Sequence, residues 1–359
     1  MKGKELRIGI VNHFMPESGI KHGGVVQLAH NLAQGLVCRG HKVTVWTYTM
    51  KPERALYSTR KLPCQWFVQS WLGLRLTYGL LGNFFFFLPS YKGTDVVLAF
   101  GDTALLGLKM RKVVRVMCGS ALNEAISARN PVRLIAQLLI YIQELGSAWW
   151  QPNTVGISFN STRSNPFVRR WIHIGIDRAR FYPNPELRNK TPTILFVGTL
   201  GGRKRGDLLL SWFQRQIQPR FPNAILHMVT ENGPVISGVH YHKGISEEEL
   251  ILLYQQSWVY ASPSCYEGFG MPYLEAMSCG TPVLATPNPG SCEVLANGEF
   301  GILSDDLAFS SNLVDLLSQR ELRSKYIERG LLRAEELSFE RMLDQYEKLF
   351  QNVNEGIGE

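Results

Sequence analysis

The sequence predicts an α/β chain of two doubly wound domains, and three observations carry that expectation. Two separate stretches, Leu6 to Tyr48 and Trp258 to Thr286, each read as strand, glycine-containing loop, helix, strand, the repeating unit of a doubly wound sheet. The 359 residues, 45% of them hydrophobic, suffice for two separate cores. Between the two stretches lies NPELRNKTPT, polar and proline-rich as linkers are, which places a boundary near residue 185.

In the first half, Leu6 to Asn12 is an apolar strand. The loop HFMPESGIKHGGVV follows, and Gly23 and Gly24 precede a helix over Val25 to Arg39, so their N–H groups can approach a phosphate or an acceptor. The loop lacks the dinucleotide fingerprint GxGxxG. Gly40-His41 ends the helix, and Lys42 to Tyr48 is the second strand. Trp71 to Leu88 is the most apolar part, but Arg75 and internal glycines interrupt it, and a bilayer span needs about 20 apolar residues. It reads as a helix with one face buried, whose aromatic end would suit a membrane interface. Asp95 to Phe100 is a strand, Ala104 to Lys109 a short helix, and Val113 to Met117 a strand. Cys118-Gly119-Ser120 then lies at a carboxyl end, where open α/β sheets bind ligands. Leu134 to Trp150 reads as a helix and Thr154 to Phe159 as a strand.

The second half opens with a strand over Thr193 to Val197, followed by GTLGGRKRGDLLLSWF. Gly198, Gly201 and Gly202 free the backbone, while Arg203, Lys204 and Arg205 supply cations, a combination that fits a diphosphate. Strands are expected over Ala224 to Thr230 and Val239 to Ile245. Ser246 reads as an N-cap with Glu249 completing a capping box, and the three glutamates there favour the helix start rather than catalysis. His240 and His242 alternate on one strand face; no third metal ligand is apparent in the sequence, and exposed strand histidines are the expected reading.

The densest chemistry lies in SPSCYEGFGMPYLEAMSCGTPVLA, residues 262 to 285. Gly268 and Gly270 permit tight turns, and Pro272 sits where a helix begins. Gly280 and Pro282 end that helix, and Val283 to Thr286 starts the next strand. The free N–H groups of the loop and helix start form an anion site. Glu267 on the loop and Glu275 one turn into the helix flank it. Phosphate would repel a carboxylate, so each glutamate suits a pair of sugar hydroxyls. The plainer alternative leaves Glu275 complementing the helix dipole and the glycines turning the chain. Beyond this, Asn288 to Glu293 reads as a loop, and Leu307 to Leu317, Glu321 to Leu337 and Glu340 to Phe350 as helices. The tail NVNEGIGE is expected to be disordered.

None of the six cysteines has CxxC spacing, so neither a zinc site nor a disulfide frame is expected, and a reducing cytosol fits. The opening MKGKELRIGIVNHF leads straight into a strand rather than into a signal peptide's apolar core. The net charge of +8 divides into +14 over residues 1–170 and −6 over 171–359. A basic half suggests an anionic partner: a phospholipid face, a lipid-linked diphosphate or a nucleic acid. The basic residues are scattered rather than interleaved with aromatics, which argues against nucleic acid.

The stretch EGFGMPYLEAMSCGTPV resembles the Glu-x7-Glu signature of the family 4 retaining glycosyltransferases. IGIDRARFYP, residues 174 to 183, resembles that family's interdomain signature, and Val294 to Ile302 its next conserved pattern; matches before residue 170 are looser. The resemblance implies the GT-B architecture, two Rossmann-like domains facing across a cleft, with the acceptor side in 1–175, the nucleotide side in 185–337, and a helix over 338–352 crossing back. It implies that Glu267 meets the donor sugar, that Glu275 meets the ribose, and that Lys204 binds phosphate. The family's arginine falls on Thr199, leaving Arg203 to replace it, and Met117-Cys118 stands where many members carry a histidine. The backbone around Ile245 would face the base. Gly198 and the segment Phe269, Gly270, Met271 and Leu274 would line the donor, with Gly23 and Gly24 on the acceptor side. No Asp-x-Asp is present, so neither a divalent metal nor a cofactor is expected.

The expected activity is retaining transfer of a hexose from UDP-glucose or another UDP-hexose to a saccharide or lipid-linked acceptor. It would serve surface polysaccharide or glycolipid synthesis, from the cytoplasm or the inner face of a membrane. The alternatives are a non-catalytic nucleotide-sugar-binding subunit of a membrane complex, and an epimerase or phosphorylase on the same fold.

Overall fold

The computed structural model describes residues 5–16, 24–49, 52, 54–62, 93–100, 112–126 and 131–356. The chain forms two compact units, residues 1–173 with 342–359, and residues 174–341.

The first unit holds a parallel six-stranded sheet of order β3-β2-β1-β4-β5-β6. Its strands are β1 (Arg7–Val11), β2 (Lys42–Thr47), β3 (Ser58–Lys61), β4 (Val96–Phe100), β5 (Val113–Met117) and β6 (Thr154–Gly156). Central strands β4 and β5 are buried along their whole length, as parallel strands covered on both faces are, and are apolar except for the buried Arg115. Strand β3 was not anticipated: STRK has no apolar alternation, and only pairing with β2 makes it a strand. The expected strand over 154–159 stops at Gly156, because Ser158 caps a short helix, Phe159–Arg163, with a reciprocal Ser158–Ser161 capping box. The helix after β1 is Gly24–Cys38. The readings of Trp71 to Leu88 and Ala104 to Lys109 fall outside the described residues.

The second unit repeats the plan, with order β12-β11-β10-β7-β8-β9. Its strands are β7 (Thr193–Val197), β8 (Ile225–Val229), β9 (Val239–His242), β10 (Val259–Ser262), β11 (Val283–Ala285) and β12 (Ile302–Leu303). Counted from its own first strand, each sheet has the order 3-2-1-4-5-6, which reverses direction between its first and fourth strands.

The linker-like stretch after 183 packs with the second unit: Arg188 donates to the carbonyls of Ser257 and Gly280, and the Asn189 N–H to that of Gln256. Ile176 pairs with Ser338, and a Cβ on Gly175 would stand 2.5 Å from the Ser338 carbonyl oxygen, so glycine is required there. The segment read as a loop at 288–293 is helix Pro289–Val294, for which Asn288 and Ser291 form the capping box. The last helix runs Phe339–Glu355, so the tail is helical four residues further than expected. In the first unit Arg39 reaches Asp344 at 2.5 Å and Glu347 at 2.7 Å, and His41 reaches Glu347 at 2.9 Å. Among the described residues no helix is long and apolar enough to cross a membrane.

Candidate active site at the switch point of the second sheet

β7 and β10 lie side by side where the second sheet reverses direction, with Val259 paired to Ile194 and Tyr260 to Leu195. Their carboxyl ends lead into the two glycine-rich loops singled out in the sequence. In open α/β sheets this is where ligands bind.

The first loop is shaped to lay Lys204 across it. A Cβ on Gly198 would meet the Phe196 ring at 2.9 Å and Lys204 Cγ at 3.0 Å, so only glycine leaves that path open. Gly202–Lys204 is a 3-10 turn. Thr199, at the family's arginine position, donates its hydroxyl to the Gly201 carbonyl at 2.9 Å and so shapes the loop. Arg205 is not among the available cations. Its guanidinium grips Asp306 at 2.7 and 2.9 Å and the Pro263 carbonyl at 2.6 Å. That grip holds its backbone in the left-handed region at φ 51°, a conformation costing about 1 kcal/mol for a residue with a Cβ.

The second loop is tied to the first. The Cys265 N–H donates to the Arg203 carbonyl at 2.9 Å, and Arg203 donates back to the Tyr266 carbonyl at 2.6 Å. Glu267 then receives both neighbouring cations: Lys204 Nζ at 2.5 Å on one oxygen and Arg203 at 2.8 Å on the other. The Glu267 side chain is 8% exposed and that of Lys204 14%, while Arg203 is half exposed. Burial alone would raise the Glu267 pKa; Lys204 first, then Arg203, more than offset it and hold the carboxyl below its ordinary value.

Gly290, which sequence reasoning passed over, supports this loop. Its N–H donates to the Glu267 carbonyl at 3.0 Å, and a Cβ there would stand 2.6 Å from the Phe269 carbonyl oxygen. The sequence signal for it is the Asn-Pro-Gly run, which reads as part of the loop expected over 288–293.

Gly270 begins helix Met271–Ser278 from a left-handed φ of 98°, and a Cβ there would strike the Tyr273 ring at 2.4 Å. The Met271 N–H opens the helix without an intrahelical acceptor. Phe269 and Leu274 turn their side chains into the core, where Leu274 is fully buried, so each can offer a ligand only its backbone. Ile245 and Met271 are partly buried against the same core cluster. Glu275 is half-buried, and its carboxylate accepts the hydroxyl of fully buried Tyr254 at 2.9 Å. Burial pushes the Glu275 carboxyl up to about 7; Tyr254 and the charge of Lys204 pull it down, and Glu247 adds to the rise. Lys204 thus acts on both glutamates, through an ion pair with Glu267 and through its field at Glu275.

The first unit holds the remaining expected residues. Gly24 is the first helical residue, with nothing within 4 Å of where its Cβ would stand, and Gly23 lies outside the described residues. Cys118 is half-buried and directs its sulfur to the Val116 carbonyl at 3.8 Å.

The reading of exposed strand histidines holds for His240 and falls short at His242, which is half-buried. β8 supplies a third imidazole, His227, in register with His240. Its Nδ1 shares a hydrogen bond of 2.9 Å with His242 Nε2, and its ring centre lies 5.4 Å from that of His240. Spacing along β9 could not reveal a partner on the next strand. Burial first, then His242 and His240, push the His227 pKa down to about 4. Among the described residues no group of three or more His, Cys, Asp or Glu is arranged to hold a metal ion.

Residues 177–333 match the family model "Glycosyl transferases group 1". O-antigen chain mannosyltransferase B of Escherichia coli is 31% identical over 167 residues, covering 42% of this chain and 43% of that protein. A GDP-mannose-dependent alpha-(1-6)-phosphatidylinositol monomannoside mannosyltransferase of Mycolicibacterium smegmatis is 29% identical over 176 residues, 40% of this chain and 46% of that protein. The matched stretch thus spans less than half the length of these relatives. The crystal structure of Anabaena Alr3699/HepE with UDP-glucose superposes with a TM-score of 0.70 at 13% identity, covering 97% of this chain and 100% of that one. Residues 177–333 thus carry the pattern of the group 1 glycosyl transferases, in a chain whose fold resembles that glycosyltransferase structure along its length.

Proposed function

We propose that the chain transfers a hexose, with retention at the anomeric carbon, from a nucleotide sugar to a saccharide or lipid-linked acceptor. One observation carries the reading: Lys204 and Arg203 converge on the buried Glu267 at a sheet switch point, beside the helix start at Gly270.

The difficult event in such a transfer is departure of the nucleoside diphosphate, which gains negative charge as the sugar becomes oxocarbenium-like. Fixed cations and N–H groups aimed at that charge lower the barrier most, and losing one such donor typically costs about 10²–10³ in rate. Lys204 is held in place by Glu267 before any ligand arrives, so little reorganisation is needed. Arg203, half exposed, can swing to the outer phosphate oxygens. The backbone of Phe269, Gly270 and Met271 adds donors. Glu267, kept ionised by its two cations, accepts hydroxyls of the donor sugar. Glu275, near the end of the Tyr254–Glu275 bond, accepts the ribose hydroxyls. Both carboxylates bind rather than flank a scissile bond, so the two-carboxylate glycosidase scheme does not apply. No divalent metal enters this scheme.

UDP-glucose or another UDP-hexose is the first donor reading, supported by the likeness to a protein solved with UDP-glucose. GDP-mannose is the second, supported by a relative that depends on it. A membrane-borne acceptor, met at the inner face of a bilayer, accords with the basic first half of the chain. Purified protein is to be titrated calorimetrically with UDP-glucose, GDP-mannose and an ADP-sugar, and nucleotide release followed with each. One donor should bind and turn over, and Lys204→Ala and Glu275→Ala should each impair it. Unchanged binding and turnover in both variants would sink the site assignment. Tight binding with no turnover on any acceptor would favour the non-catalytic subunit, to which the departures at Thr199 and Cys118 point.

A further inference from the structure

Helix Pro131–Trp150 of the first unit turns most of its large apolar side chains outward. An amphipathic helix of a water-soluble domain turns its apolar stripe to the core and its polar face to water. Here the exposed stripe, at helical spacing, is Ile135, Leu138, Leu139, Ile142, Trp149 and Trp150, with Ile142 64% and Trp149 67% exposed. The opposite face buries three polar residues, Gln137, Glu144 and Ser147, beside Ile140 and Ala148.

The fold enforces this orientation. The buried Glu144 carboxylate accepts the Ala121 N–H at 3.1 Å, at the start of helix Ala121–Ile126. The Glu144 carbonyl accepts Asn165 at 3.2 Å and the buried Arg115 at 3.4 Å. Turning the helix over would strand these polar groups, so the outward apolar face follows from a satisfied polar interior.

We infer that this face is a docking surface for an anionic lipid bilayer, in which the helix lies flat at the interface. Two features select the bilayer over a second copy of the chain. The first is charge. Residues 112–173 hold seven Lys or Arg and two acids, Glu124 and Glu144; leaving out the buried Arg115 and Glu144, six bases stand against one acid. The Tyr141 hydroxyl donates to the Ser164 carbonyl at 2.7 Å, which sets the turn carrying exposed Arg163 along one flank of the stripe. A symmetric dimer through this face would press like charges together; anionic headgroups would neutralise them. The second is the pair Trp149–Trp150 at the helix end, since indole rings favour the headgroup level, where the ring is apolar and the N–H is wet. A 20-residue helix spans about 30 Å, and lying flat it offers the whole stripe to the acyl boundary. This rests on the proposed membrane-borne acceptor and names the surface that would bring the enzyme to it.

The test is flotation of the full chain with phosphatidylcholine vesicles, with and without about one-third phosphatidylglycerol. The protein should float with the anionic vesicles. The triple variant Ile135→Ser, Leu139→Ser, Ile142→Ser should partition roughly tenfold or more weakly with an unchanged melting temperature, because the three side chains are exposed. Arg163→Glu with Arg169→Glu should flatten the dependence on phosphatidylglycerol and on salt. Nucleotide release from soluble donor, measured without vesicles, should be unchanged in the triple variant, so a failed transferase reading and a failed docking surface give different results. Equal flotation of wild type and triple variant, or no flotation at all, overturns the inference. So does a wild-type dimer in light scattering that the triple variant dissociates, because the occupant is then a second copy.

Discussion

Lys204 and Glu267 hold each other at 2.5 Å, each nearly buried, although the family resemblance assigns one to phosphate and the other to sugar. The two residues that the proposed function assigns to the donor are each other's partners. Lys204 keeps Glu267 ionised and Glu267 keeps Lys204 in place, so on that reading a phosphate would share an already oriented cation.

The pair therefore has a stability signature distinct from its role in turnover. Lys204→Ala leaves Glu267 buried with only the half-exposed Arg203, and should cost about 1–3 kcal/mol, below the full penalty for a stranded buried charge. Adding Glu267→Gln should recover most of that loss. Chemical denaturation of both single variants and the double variant measures the coupling, and simple additivity would show the pair to be energetically idle.

Glu275 should destabilise the protein at neutral pH. Its folded pKa, about 7, exceeds the ordinary 4.5, so the folded state holds a proton the unfolded state has released. Stability from this group is present at low pH and is lost as pH rises from 4.5 through 7. Glu275→Gln should gain about 1–2 kcal/mol at pH 8, less than the full shift would give because the group is only half-buried. The same variant should bind donor about tenfold or more weakly, since an amide accepts ribose hydroxyls poorly. Thermal melts at pH 5 and 8 with donor titration check both halves; equal stability at the two pH values would refute the first.

The imidazole cluster should act in the opposite sense. His227 is held at about 4 against an ordinary 6.5, so the unfolded chain takes up a proton first. Stability is unaffected above pH 6.5 and falls as pH drops toward 4. The loss should reach about 1–2 kcal/mol after allowance for partial exposure. His227→Phe should remove this part of the acid sensitivity, which urea midpoints between pH 4 and 7 would reveal.

The loop glycines should divide sharply. Gly270→Ala forces a left-handed residue with a Cβ into the Tyr273 ring and should cost about 2–4 kcal/mol and most activity. Gly24→Ala meets nothing and replaces glycine at a helix start, so it should be neutral or stabilise by up to about 1 kcal/mol. Melting temperatures of the two variants decide it.

The glycine punctuation and apolar runs of the second unit made β7, β8, β10 and β11 readable to within a residue or two, while β9 ends three residues before Ile245 and β12 was not read as a strand; the charge of Arg203 and Lys204 beside a strand end was visible in order. What the chain order hid was contact across elements. Glu267 could not be seen to bind Lys204, 63 residues earlier, nor Arg205 to be consumed by Asp306. His227 joined its partners only through register on the neighbouring strand. Asn288-Pro289-Gly290 read as a loop because its helix has six residues, too few to show a period. Helix Pro131–Trp150 was legible as a helix, but its outward apolar face was not, since periodicity gives a stripe without saying which way it points.

The terminal helix has a consequence for biosynthesis. The first unit is completed by Met342, Leu343, Tyr346, Leu349, Phe350 and Val353, all buried and all following the second unit in the chain. Residues 174–341 need nothing that follows them to close their own core. During synthesis residues 174–341 emerge before the helix that completes the first unit, so the unit that begins first in the chain is not the first able to close its core.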